Sequence, residues 1–237
     1  MRVAIVIPAL DEAGSIGRVL DDLPMSLVAE VLVVDGGSKD STREIADRKG
    51  ARVILEPRRG YGRACLTGIE RATGADVLVF LDGDYSDRPA ELPRLLAPIE
   101  RGEADIVLGT RLRGGLAMGA MPWHQLLGNR LAAGLIRLLY GVPLTDLGPF
   151  RAARRDVLEA LALREPTYGW AVELLTRGAR AGYRVVEVPV SYHPRIGVSK
   201  ISGTVRGTIG AAWCILTRIV VNRLRPEARV GDAARSA

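Results

Sequence analysis

Short apolar runs alternate with amphipathic stretches along the first half of this chain, and that alternation admits few folds. Residues 3–7, 31–34, 52–55, 77–81 and 106–108 read as strands. Between them, 15–23, 41–49, 62–73 and 90–100 read as helices. Strand–helix alternation implies a parallel sheet with helices on both faces. The strand runs are continuously apolar rather than alternating, as buried parallel strands are. Helix starts are legible: Ser15 precedes the apolar period Ile16, Val19, Leu20, Leu23. Ser41 is followed three residues on by Glu44, and Pro89 suits a first turn. A longer helix over 122–140 carries Leu126, Leu127, Leu131, Leu135, Ile136 and Leu139 on its apolar side. Helices at 156–163 and 170–181 and a strand at 185–190 complete the expected α/β domain, which shows no internal repeat.

The stretch 204–224 differs in character. It is helical in pattern and rich in large apolar residues, but Arg206 and Arg218 interrupt it. A membrane span needs about 20 mostly apolar residues without central charges, so this is not one. Two readings stand: a helix packed on the core, or a basic amphipathic helix in a membrane interface with Trp213 among its anchors. Residues 226–237 are small and polar and read as a disordered tail.

The net charge of +6 suits a partner carrying phosphate, such as a nucleotide, a lipid phosphate or an anionic membrane. The two cysteines, Cys65 and Cys214, lie far apart and match neither a disulfide framework nor a metal pair, which points to a reducing compartment. The opening residues do not form a signal peptide: their apolar run is short and meets Asp11 and Glu12 at once.

Acidic residues follow several strand runs. Asp82-Gly83-Asp84 ends the run 77–81. Two carboxylates two positions apart, at the edge where open α/β sheets bind ligands, can reach one divalent ion such as Mg2+ or Mn2+. Asp-Gly-Asp also makes an ordinary turn. Asp11-Glu12 follows the first strand and could hold a base or ribose, or could be a solvated loop entering a helix. Asp35 ends the second strand, where nucleobase binding is expected of it, and Gly36-Gly37 let backbone approach a ligand. Asp40 reads as a helix cap. Arg58-Arg59-Gly60-Tyr61-Gly62 begins like a dinucleotide fingerprint, but Cys65 stands where its third glycine belongs. The loop remains a good phosphate site at a helix start. No P-loop motif is present.

Taken in order, Pro8…Asp11-Glu12, Asp35-Gly36-Gly37-Ser38-x-Asp40-x-Thr42, Gly60-x-Gly62, Asp82-x-Asp84 and Gly109-Thr110-Arg111 resemble the family 2 nucleotide-sugar glycosyltransferases of the GT-A fold. Asp146-Leu147-Gly148-Pro149-Phe150-Arg151, Glu173, Glu187-Val188-Pro189-Val190 and Arg195-x-Gly197-x-Ser199-Lys200 resemble the dolichyl- or polyprenyl-phosphate mannosyl- and glucosyltransferases within it. The resemblance runs from about residue 3 to 203. It implies a catalytic domain over 1–202, an amphipathic helix over 203–225 and a tail over 226–237.

The resemblance also implies roles. Pro8, Leu10, Glu12 and Asp35 would line the nucleoside pocket, with Gly37, Gly60 and Gly83 in the donor site. Asp82 and Asp84 would bind Mg2+ or Mn2+ bridging the donor diphosphate. Arg111 would face the transferring sugar and phosphates. Arg195, Ser199 and Lys200 would close over the diphosphate or the acceptor phosphate, and Arg151 and Glu173 would shape the acceptor side. The implied reaction moves a hexose from a GDP- or UDP-sugar to a polyprenyl phosphate, with inversion, at the cytoplasmic membrane face and without nucleic acid.

The chain departs from the family pattern in places. Gly36 stands where a second Asp is common, Ser86 and Asp87 replace a glutamine and a His or Pro, and Gly148-Pro149 replaces a Ser/Gly-Gly turn. Members often carry transmembrane helices after the catalytic domain.

The chemistry fits these residues. A metal with Arg or Lys side chains neutralises a departing diphosphate. A phosphate acceptor is already a nucleophile, which suits a chain with only His124 and His193 for imidazole chemistry. A hydroxyl acceptor, the alternative, needs a carboxylate base, and Asp146 is the candidate. A non-catalytic binder of anionic lipid or nucleic acid on the same basic surface is the remaining rival.

Overall fold

The computed structural model describes residues 1–197 and 205–224. β1 (Val3–Ala9), α1 (Ile16–Asp21), β2 (Glu30–Asp35), α2 (Thr42–Arg48), β3 (Arg52–Leu55), α3 (Tyr61–Arg71) and β4 (Val77–Phe80) come first. α4 (Leu92–Glu100), β5 (Ile106–Thr110), the single turn α5 (Arg111–Gly114) and α6 (Trp123–Tyr140) follow. β6 (Arg151–Arg154), α7 (Arg155–Leu161), α8 (Trp170–Arg180), β7 (Val185–Pro189) and α9 (Val205–Leu224) complete the described chain.

The strands form one sheet in the order β3-β2-β1-β4-β6-β5-β7. All neighbours run parallel except β6, which is antiparallel to both β4 and β5. Side chains of β1 alternate between two cores, as strand geometry requires. Ala4 and Val6 join α3, α6, α7 and α8 on one face, centred on Trp170 and Phe80. Val3, Ile5 and Ile7 join α1, α2 and α4 on the other.

β6 is the element that the apolar pattern does not reveal. Its sequence, Arg-Ala-Ala-Arg, has no β-branched residue. Pairing on both edges makes it a strand, because Ala152 and Ala153 are small enough to sit fully buried between β4 and β5. Its reversed direction has a consequence for function. The parallel strands end at one sheet edge, and β6 begins there, so Arg151 sits opposite Phe80 and Leu108.

α9 packs on α6 and α8 over its described side chains. Ile219 is fully buried, and Asn222 Nδ2 donates to Thr176 Oγ1 at 2.9 Å. Arg218 pairs with Glu165 at 2.6 Å. This half of the helix follows the core-packing reading, although Val220, Val221 and Leu224 remain exposed. Among the described residues, no helix is long and apolar enough to cross a membrane.

Candidate active site

Four loops converge at the strand ends. The 10–13 loop after β1 is bonded to the 36–42 loop after β2 by a row of hydrogen bonds. Asp11 N donates to Ser38 Oγ at 2.9 Å, Glu12 N to Thr42 Oγ1 at 2.8 Å and Ala13 N to Asp40 Oδ2 at 3.1 Å. Lys39 N returns one to Asp11 Oδ1 at 2.7 Å. Asp40 thus ties two loops together and also accepts from Thr42 N at 3.0 Å at the start of α2.

Asp35 is wholly buried and folds its own turn. Its Oδ1 accepts from Gly37 N at 3.0 Å and Ser38 N at 2.9 Å, and its Oδ2 accepts from Ser38 Oγ. It sits behind the wall of the cleft, and Gly36, Gly37 and Lys39 present that loop to the ligand space. Gly37 has φ +92°, a conformation costly for a residue with a Cβ.

The cleft itself has a volume of about 500 Å³. Pro8, Leu10 and Glu12 line one side, Gly60 and Arg59 the other, and Asp82, Gly83 and Asp84 the floor. A second cavity of about 310 Å³ opens beyond it, lined by Arg111, Arg151, Tyr192 and apolar side chains of α6, α8 and α9. Tyr61, Asp82, Asp84, Tyr168 and Arg195 belong to both walls, so the carboxylate pair stands where the two spaces meet.

The pair is held asymmetrically. Asp84 Oδ1 accepts from Ser86 N at 2.9 Å and Ser86 Oγ at 2.6 Å, while its Oδ2 meets Arg195 Nη2 at 2.7 Å. Arg195 is brought there by the segment after β7, whose Ile196 N donates to Asp84 O at 2.9 Å. Asp82 Oδ1 is sealed from solvent with no hydrogen-bond partner among the described residues. Burial, then the adjacent Asp84, pushes the Asp82 carboxyl up to about 7. Asp87, also buried and without a hydrogen-bond partner for either oxygen among the described residues, is pushed up by burial and by Asp82.

A crowded, under-satisfied carboxylate is what a divalent cation relieves. Among the described residues no group of three His, Cys, Asp or Glu could hold a metal. The paired carboxylates of Asp82 and Asp84, oxygen donors two residues apart at the meeting of the two cavities, are of the kind that Mg2+ or Mn2+ takes when water and substrate phosphate supply the other ligands.

Arg111 begins the turn after β5 and is 7% exposed. Its Nε and Nη2 each donate to Asp146 at 2.7 Å, and its own N adds a bond at 3.0 Å. The guanidinium also lies 4.8 Å from the centre of the Tyr192 ring. Burial alone would push Asp146 up, but the Arg111 hydrogen bonds and charge outweigh it and hold the carboxyl below its ordinary value. Glu187 in β7 fixes this turn, accepting from Thr145 N at 2.7 Å and Asp146 N at 3.0 Å. Asp146 stands behind Arg111 rather than on either cavity wall, with its oxygens taken up by Arg111 and by Leu147 N at 2.8 Å.

Glu173 likewise serves the framework, accepting from Arg164 N and Glu165 N at 2.9 and 2.8 Å. Arg151 reaches the smaller cavity, with Nη1 buried and without a hydrogen-bond partner among the described residues. Tyr168 and Tyr192, which sequence reasoning did not single out, line it too, and no motif marks either of them. Ser199 and Lys200 lie outside the described residues.

The sequence model of Glycosyl transferase family 2 matches residues 4–162. The chain belongs to that family. It is 40% identical over 208 residues to an uncharacterized glycosyltransferase of Mycobacterium tuberculosis, covering 87% of this chain and 93% of the relative. It is 36% identical over 237 residues to an undecaprenyl-phosphate mannosyltransferase of Micrococcus luteus, covering 92% and 93%. The fold matches glucosyl-3-phosphoglycerate synthase of Mycobacterium tuberculosis, solved with Mn2+, UDP and glucosyl-3-phosphoglycerate, with a TM-score of 0.76 and 25% identity over 96% of this chain and 81% of that one. The protein is therefore a glycosyltransferase with the GT-A fold.

Proposed function

We propose that this glycosyltransferase moves a hexose from a GDP- or UDP-sugar to a polyprenyl phosphate at the cytoplasmic membrane face, with inversion at the anomeric carbon. The observation that carries the reading is the meeting of two cavities at Asp82 and Asp84. The larger is walled by backbone, glycines and carboxylates suited to a nucleoside diphosphate. The smaller combines arginines with an apolar wall, as a phosphate on a hydrocarbon tail requires.

In this reading Pro8, Leu10 and Glu12 flank the nucleoside, and Gly37 and Gly60 admit the donor close to backbone. Asp82 and Asp84 hold a Mg2+ or Mn2+ ion, which when bound neutralises the leaving diphosphate. Arg195 swings between Asp84 and that diphosphate, and Arg111, pre-aimed by Asp146, stabilises negative charge on the acceptor side. Arg151 offers its Nη1 to the acceptor phosphate. Such an acceptor is already anionic and needs no base. Arg111, Arg151 and Arg195 all line the smaller cavity, which favours an anionic phosphate over a neutral hydroxyl acceptor. The name of the Micrococcus luteus relative supports the same acceptor class and, for the sugar, mannose.

The test is transfer of radiolabelled sugar from GDP-mannose and UDP-glucose into an organic-extractable product, with polyprenyl phosphate and Mn2+ or Mg2+ supplied. EDTA and the Asp82→Asn/Asp84→Asn double variant are the controls. Metal-dependent label in the lipid phase, lost in the variant, is the expected result. Metal-dependent donor hydrolysis with no labelled lipid would sink the polyprenyl-phosphate acceptor.

A further inference from the structure

A helix on a protein surface normally turns polar side chains to water. α6 does not. Ala132, Ala133 and Ile136 face the core, yet the opposite side presents Trp123 at 76% exposure, Leu127 at 51%, Leu131 at 57% and Leu138 at 79%. At 3.6 residues per turn these four fall within an arc of about 80°. Met118, just before the helix, is 98% exposed and extends the apolar surface. Arg130 and Arg137 are exposed along one border of the stripe. Scattered exposed leucines need no explanation, but a contiguous stripe does.

The composition of the stripe identifies what covers it. Leucines flanked by arginines, with a tryptophan at the helix start, are the make-up of a helix lying in a lipid headgroup layer. The arginine border and the net charge of +6 complement anionic headgroups. The inner side of the same helix supplies His124, Gln125, Gly128 and Asn129 to the smaller cavity. One helix therefore carries an apolar outer face and a wall of the cavity assigned to the acceptor.

We propose that the outer face of α6, with Met118, docks the protein on an anionic membrane and sets the mouth of the smaller cavity at the headgroup level. The docking gains its purpose from the lipid-acceptor reading, but the binding itself does not depend on it. It also places the membrane contact on α6 rather than on the described half of α9, where Ile219 is buried against the core and Val220, Val221 and Leu224 are exposed.

The experiment is co-sedimentation of the full chain with phosphatidylglycerol/phosphatidylcholine vesicles containing no polyprenyl phosphate. Leu127→Glu/Leu131→Glu, which alters no cavity-lining residue, should lower the partition coefficient by at least about tenfold, since two leucine side chains that bury in the lipid are replaced by charges. Arg130→Glu/Arg137→Glu should weaken binding to anionic vesicles, and Val220→Glu/Val221→Glu on α9 should bind as the unaltered chain does. Circular dichroism and nucleotide titration confirm that each variant is folded. Binding that survives the α6 substitutions, binding lost only with the α9 substitutions, or no vesicle binding by the unaltered chain would each overturn the proposal. So would a solution dimer that the α6 substitutions split while vesicle binding stays intact, because a second copy would then be the occupant. Sugar transfer to polyprenyl phosphate in detergent micelles is read separately, so failure of docking and failure of the acceptor assignment cannot be confused.

Discussion

Replacing Asp82 by Asn should make the metal-free protein more stable while abolishing its use of donor. The carboxyl is held at about 7 instead of 3.8 because it is buried beside Asp84. The folded state therefore binds a proton there that the unfolded chain releases at much lower pH. Wild-type stability from this group is fully present below pH 3.8 and is lost as pH rises to about 7. The whole displacement corresponds to at most about 4 kcal/mol at neutral pH. The amide's own polar atoms would still be buried where Asp82 Oδ1 finds no hydrogen-bond partner among the described residues, so about 2 kcal/mol is the expected gain from the isosteric amide. For a chain of this size that is about 4 to 8 °C in Tm. The assay is thermal denaturation in EDTA at pH 5 and pH 8, wild type beside Asp82→Asn. The gap between them should widen with pH. A pH-independent gap, or a variant less stable at pH 8, would refute the claim that crowded charge at this site opposes folding.

Other consequences follow from the same geometry. Because a proton must leave Asp82, apparent Mn2+ affinity should rise with pH and level off above about 7; a flat profile by titration calorimetry would count against Asp82 as a ligand. Asp146→Ala would leave the Arg111 charge buried and unpaired, costing about 3 to 5 kcal/mol in urea denaturation, with Asp146→Asn milder. Gly62→Ala would press a methyl against Thr167 O and Trp170 Cβ, each 2.7 Å from the new atom, and should cost about 1 to 3 kcal/mol by the same measurement. Glu56 is held down to about 2 by Arg58 and Thr67 against its burial. Its contribution is complete above pH 4.5 and disappears as pH falls toward 2, so Glu56→Gln and wild type should converge in acid unfolding and differ at pH 6.

Much of this molecule was legible because its parallel strands are continuous apolar runs that end in the residues of the site. Asp82, Asp84, Glu12 and the glycines lie where an α/β sheet edge gathers its loops, and the ordered motifs of the family resemblance joined them into one site. Three features were hidden for physical reasons. β6 is specified by pairing on both sides, not by its own propensities, so the family resemblance placed Arg151 on the acceptor side while the strand that carries it there stayed unread. Asp35 and Asp146 carry the right chemistry in the right places, but their oxygens are taken up by Ser38 and Arg111, a bookkeeping of hydrogen bonds that no linear pattern contains. The helical period of 122–140 was readable, yet the side of it that the core leaves uncovered was not. Leu127 and Leu131 fall on the helix's apolar side in the sequence and are exposed in the fold. Periodicity reports that a helix has an apolar side, and packing decides how much of that side the protein itself consumes. On α6 the apolar residues exceed what one core face can bury, and the surplus points away from the sheet beside the smaller cavity. A surplus of that kind is costly in water, and it is the surface that the proposed membrane contact would cover.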